Sequence, residues 1–118
     1  MSTPEVRNFE PKEAVNLLPP KTDPITVAEL AKCDGTGPLT YVAIKRVVFD
    51  VSGNSSYAVG GSYHVFAGKD ASRALAMSSV KPEDVAPEWE DLSDKEKGVL
   101  DDWFSFFAKR YNKVGLVV

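Results

Sequence analysis

The segment that most limits the folds open to this chain opens at Ser93-Asp-Lys-Glu96, a capping box in which serine and glutamate satisfy each other's backbone donors. Val99, Leu100, Trp103, Phe104 and Phe107 then recur at helical spacing, which predicts one strong amphipathic helix over 94–110. Lys109, Arg110 and Lys113 suit its carboxyl end, where the helix dipole favours cations. The stripe Trp103, Phe104, Phe107 reads as core packing.

The other segments are shorter. Residues 41–51 are rich in β-formers around a polar pair, Lys45-Arg46, which predicts two short strands joined by a tight turn. Residues 52–62 hold four serines, three glycines and an asparagine, so they form a loop. Thr26-Val-Ala-Glu29 is a second capping box, predicting a short helix over 26–33, and Asp34-Gly35 then turns the chain. A short packed helix is expected from Phe66 to Met77. Pro82 and Pro87 bracket another short segment, and Val114–Val118 is expected as an edge strand. Residues 1–24, with five prolines, read as an extended arm pinned by Val15, Leu17 and Leu18, ahead of a folded domain over 25–118. A chain of 118 residues suits one core, and the fold class is α+β: a small sheet with several short helices.

Composition removes some functions. With 14 Lys+Arg against 17 Asp+Glu, the net charge of −3 gives no basis for binding nucleic acid. Cys33 is the one cysteine, so neither an internal disulfide nor a cysteine metal cluster can form; it reads as a small filler after the first helix. No apolar run approaches the roughly 20 residues of a membrane-spanning helix, and the amino-terminal stretch lacks a secretory signal. A soluble, cytoplasmic protein is the expectation.

The stretch that carries chemistry is Tyr57-Ala-Val-Gly-Gly-Ser-Tyr63, running directly into His64-Val-Phe-Ala-Gly-Lys-Asp-Ala-Ser-Arg73. From spacing alone, two tyrosines beside glycines are ordinary loop anchors. Together with Val42-Ala-Ile44, Val48-Phe-Asp-Val51 and the tail Trp103…Tyr111-Asn-Lys-Val-Gly115, however, the chain resembles the membrane-associated progesterone receptor family, called damage-response haem proteins in fungi. The similarity spans about residues 25–118, and Phe66–Arg73 is its most specific part. It implies a cytochrome b5-like haem/steroid-binding fold, in which a small sheet and helix pairs form a cleft for haem b. It also implies that Tyr63 ligates the iron, that Tyr57 hydrogen-bonds near the ligand, and that Arg110 and Tyr111 line the cleft.

Elementary chemistry accommodates those roles. A phenol with an ordinary pKa of about 10 binds as phenolate only beside a strong positive charge, which ferric iron supplies. Tyrosinate is one of the ligand types that haem proteins use. Gly60 and Gly61 would let backbone approach the porphyrin face where a β-carbon would collide. His64 is the single histidine, so the two-histidine clamp of ordinary cytochromes b5 is not available. It reads mainly as solvent-facing, with pocket hydrogen bonder, acid–base group and iron ligand as further readings. The family's Tyr-Gly-Pro-x-Gly-Pro-Tyr pattern has lost its prolines here, which should loosen the loop, and Arg46 stands where the family often has glycine.

The function implied by the resemblance is a haem-binding partner that supports cytochrome P450 enzymes of sterol or related metabolism, by haem delivery or stabilisation. Such a partner is expected at the periphery of the endoplasmic reticulum. Two other readings stay open: a haem-dependent enzyme using an open iron position with His64 nearby, and a haem-free binder of steroid or another apolar ligand. Nine of the 17 acidic residues fall in 83–102, either as a solvated face or as a docking surface for a basic partner such as a P450. The chain is expected as a monomer or a weak dimer stacked through haem.

Overall fold

The computed structural model describes residues 17–118. In chain order these form β1 (Pro24–Ile25), α1 (Val27–Ala31), β2 (Tyr41–Ile44), β3 (Val47–Asp50), β4 (Lys69–Asp70), α2 (Ser72–Ala76), α3 (Asp94–Arg110) and β5 (Asn112–Val117), with single 3-10 turns at His64–Phe66 and Pro82–Asp84. The strands make one five-stranded sheet in the order β1-β5-β3-β2-β4.

The hairpin stands as its composition predicts. Ile44 pairs with Val47, leaving Lys45 and Arg46 as a two-residue turn with φ of 51° and 70°. Such turns match the twist of the flanking strands, and most side chains avoid that backbone region. Two groups hold it: Asp70 Oδ2 accepts from the Arg46 N–H at 3.1 Å, and Ser72 Oγ accepts from the Lys45 N–H at 2.7 Å.

Period-two alternation gives the sheet two apolar faces. Val42, Ile44 and Phe49 face α2 and α3, packing with Phe66, Leu75, Leu100, Trp103 and Phe107. Ala43 and Val48 face the other way, toward Leu30 of α1 and Ile25, Val114 and Val117. Both capping boxes form: Thr26 with Glu29 on α1, and Ser93 with Glu96 on α3. No helix among the described residues is long and apolar enough to cross a membrane.

Three expectations change. β5 is an interior strand, not an edge, because residues 21–25 run beside it: Lys21 N–H donates to the Lys113 carbonyl at 3.0 Å, and Leu116 N–H to that of Asp23 at 2.9 Å. The true edge is β1, where proline's missing N–H is tolerated. The described part of the arm, residues 17–24, is therefore tied down by backbone N–H groups and carbonyls rather than by buried apolar side chains. Leu17 and Leu18 are exposed, and the Leu18 N–H donates to Asn112 Oδ1 at 2.8 Å; Val15 lies outside the described residues. Finally, Phe66–Met77 is not one helix. Gly68, at φ 74°, turns the chain into β4, which pairs parallel to β2, and only then does Asp70 cap the corner into α2 by accepting from Ser72.

Candidate functional site

Residues 52–63 fold back on themselves through their own polar groups. Asn54 Oδ1 accepts from the Ser56 N–H at 2.9 Å, the Asn54 carbonyl from that of Tyr57 at 3.1 Å, and the Ser56 carbonyl from that of Tyr63 at 2.8 Å. Gly61 is fixed by this folding: a β-carbon there would overlap the carbonyl oxygens of Ser55 and Ser56. Its need for glycine thus comes from the loop itself rather than from closeness to a flat ligand. Gly60 differs, with φ 87° and open space where its β-carbon would lie.

The compact loop delivers both tyrosines to the aromatic face of α3. The Tyr57 and Tyr63 rings lie 5.8 Å apart, and Tyr57 meets Phe107 at 6.0 Å and Tyr111 at 6.4 Å. Tyr63 meets Phe66 at 5.9 Å and Trp103 edge-on at 6.5 Å. Tyr57 is buried, Tyr63 and Tyr111 half-buried. Burial pushes the Tyr57 phenol far above its ordinary value, and the charge that Tyr111 or Tyr63 would carry on ionising raises it further. Burial also raises Tyr111, against a hydrogen bond from Asn54 Nδ2 at 2.7 Å and the nearby charge of Arg110. At neutral pH Tyr57 is therefore an O–H donor and not a phenolate. Arg110 lays its guanidinium over the Phe106 ring, 4.2 Å from the centroid.

The structure accordingly gathers Tyr57, Tyr63 and Tyr111 around one end of α3. It does not bring His64 to them. His64 Nε2 lies 2.8 Å from the Asp34 carbonyl, which can only accept, so Nε2 is the donor of this pair. The ring is half-buried rather than solvent-facing. It lines a cavity of about 350 Å³ with Asp34, Val65 and Lys69, and none of the three tyrosines lines that cavity. Two further participants were not singled out from sequence. Asn54, one polar residue in a serine–glycine loop, both shapes that loop and holds Tyr111. Trp103, read there only as core, carries a buried indole N–H with no acceptor among the described residues.

The donor set fits a ferric haem. A phenol oxygen is a hard, anionic ligand once deprotonated. No described residue hydrogen-bonds the Tyr63 hydroxyl. The neighbouring neutral phenols can donate to a phenolate, and the orphaned Trp103 N–H leaves a donor free for an added acceptor.

The acidic stretch is largely spent within the chain. Asp84 accepts from Ser79 Oγ at 2.7 Å, Glu90 from the Trp89 N–H at 3.1 Å, Asp91 pairs with Arg73 at 2.8 Å, Glu96 caps α3 and Asp101 pairs with Lys45. Glu83, Glu88, Asp94 and Asp102 form no side-chain hydrogen bond or ion pair with a described residue.

A five-stranded sheet packed on both faces, with its long helix against one of them, has the architecture of a cytochrome b5-like domain. Comparison with known proteins agrees: residues 26–112 match the family described as "Cytochrome b5-like Heme/Steroid binding domain", and the chain belongs to that family. Probable steroid-binding protein 3 of Arabidopsis thaliana is 50% identical over 97 residues, 79% of this chain and 96% of that protein. Cytochrome P450 regulator dap1 of Schizosaccharomyces pombe is 37% identical over 122 residues, 96% of this chain and 70% of that protein. The chain spans under half the length of the membrane steroid-binding proteins of rice that it also matches. Among solved structures, a hypothetical Arabidopsis protein described as having a cytochrome b5-like fold superposes with a TM-score of 0.75 at 46% identity, covering 82% of this chain and 92% of that one. The expected fold class and family are both borne out.

Proposed function

We propose that this domain binds haem b through a single axial phenolate from Tyr63 and supports a cytochrome P450 by delivering haem to it or stabilising it. The observation that carries the reading is the placement of Tyr63, half-buried, with its hydroxyl unclaimed by the described residues, beside a buried phenol that stays protonated. Tyr57 then donates its O–H toward the phenolate oxygen and spreads its charge. Tyr111, oriented by Asn54, and Arg110, braced on Phe106, line the cleft. Haem, when bound, would supply the positive ferric charge that favours phenolate ligation by Tyr63. His64 is committed to the Asp34 carbonyl, which favours a binding role over acid–base catalysis at this site. The name of the fission-yeast relative, a P450 regulator, supports the partner class. Glu83, Glu88, Asp94 and Asp102 remain for a basic partner surface, whose attraction would weaken with salt.

Titration of the purified chain with ferric haem tests this. A saturable Soret band is expected, and Tyr63→Phe should shift that band and weaken binding at least tenfold, with far-ultraviolet dichroism unchanged. A spectrum and affinity untouched by Tyr63→Phe would remove the ligand assignment. Saturable binding of a neutral steroid by a chain that gives no Soret band would favour the haem-free reading. Association of the haem-loaded chain into pairs, seen by sedimentation, would reveal stacking.

A further inference from the structure

Arg46 holds a backbone conformation that ordinary side chains avoid, φ 70°, and nothing in the tyrosine site uses it. Strain of this kind persists where neighbours enforce it and often marks a place of use. Here Asp70 clamps the Arg46 amide, so the side chain is presented from a fixed corner between the hairpin and β4. It is exposed, and its guanidinium forms no ion pair with a described residue.

Two cavities meet at this residue, of about 360 and 450 Å³, and both are lined by Arg46, Asp70 and Pro87. The smaller has an aliphatic floor of Val27, Leu30, Val85, Val117 and Val118, with Lys69 as a second cation and no aromatic side chain. Val27 and Val118 are 66% and 68% exposed, leaving apolar surface in water beside a cation. No tyrosine lines this groove, and although Val85 packs on the tyrosine-side core, Leu30 and Val117 belong to the opposite face of the sheet, so the groove is a separate site.

We propose that this groove binds an aliphatic carboxylate, its hydrocarbon chain on the valine–leucine floor and its head group on the Arg46 guanidinium. The planar fork of arginine matches a carboxylate with two parallel hydrogen bonds. A single negative charge suits the corner better than a phosphate dianion, because the Asp70 carboxyl lies close by. Its oxygens already accept from Arg46 N–H, Ser72 N–H and Ser72 Oγ. The absence of aromatic rings from the lining selects a flexible chain over a stacked ring system.

The test is nuclear magnetic resonance titration of the isotope-labelled full chain with decanoate and, in parallel, decanol, both kept below self-association. Decanoate should saturably shift Val27, Leu30 and Val117, leave Tyr57 and Tyr63 unmoved, and bind at least tenfold tighter than decanol. Arg46→Gly, which suits the left-handed turn, and Arg46→Asn, which tolerates it, should each abolish that preference with the fold retained. Equal binding of acid and alcohol, shifts centred on the tyrosines, or an undiminished preference in both variants would overturn the proposal. So would a neutral steroid that fills the groove equally well without Arg46. Binding to phosphatidylcholine vesicles containing phosphatidic acid, with no saturable response to decanoate, would reassign the groove to a membrane surface and overturn it too.

Discussion

Tyr57 is the residue whose chemistry the fold changes most, and the change has a measurable sign. Burial raises its phenol well above the value of about 10 that it has in an unfolded chain. The native state therefore keeps a proton that the unfolded state gives up. The stability tied to this proton is complete below pH ~10 and drains away as pH climbs above it. Tyr111 adds to the same trend, since burial raises it as well. Tyr57→Phe should consequently flatten the alkaline limb of stability, measured as urea midpoints between neutral pH and pH ~11. An unchanged slope would mean that Tyr57 is already solvated in the native chain. At this scale the sequence carried the two tyrosines and their separation, but not Asn54. That residue looks like any other polar member of a turn until Tyr111 arrives from the far end of α3, and nothing local marks such a meeting.

At the scale of elements, what could be read from sequence was what neighbours in sequence decide. The capping boxes at Thr26 and Ser93 formed because each needs only residues three apart, and the hairpin formed around Lys45-Arg46 because its strands adjoin. β4 escaped because two residues show no periodicity; it exists only because β2 supplies its hydrogen-bond partners. β5 was misplaced for the same reason, since its interior position depends on residues 21–25 crossing back over it. Gly115 marks that crossing. A β-carbon there would overlap the Asp23 carbonyl oxygen, so β1 can close on β5 only over a glycine. Gly115→Ala should cost about 1–3 kcal/mol, the usual range for overpacking. Amide exchange at Leu116 and Val118 should accelerate before exchange in the hairpin does. Uniform loss of protection across the sheet would show instead that β1 is integral to the core.

For the molecule as a whole, two sets of carboxyl groups pull stability in opposite directions with pH. Hydrogen bonds from the Thr26 backbone, Thr36, the Trp89 backbone and Arg73 lower Glu29, Asp34, Glu90 and Asp91 respectively. Stability from these groups is in place above the ordinary carboxylate pKa of about 4 and is lost as pH falls below it. Glu29, Glu90 and Asp91 are solvent-exposed and Asp34 half-buried, so salt should soften the effect of the first three most. Asp70 acts the other way. Burial raises its carboxyl despite bonds from Ser72 and the charge of Arg46, so the native state takes up its proton at a higher pH than the unfolded chain does. Mild acidification from neutrality therefore favours the native state, and stability should crest just above pH ~4 before falling. Urea denaturation from pH ~3 to 7 would show that crest. Asp70→Asn should remove the rise on its neutral side, because an amide has no proton to gain, and leave the acid collapse in place. A wild-type curve falling steadily from neutrality would instead mean that the Asp70 carboxylate is better satisfied as an anion than its burial implies.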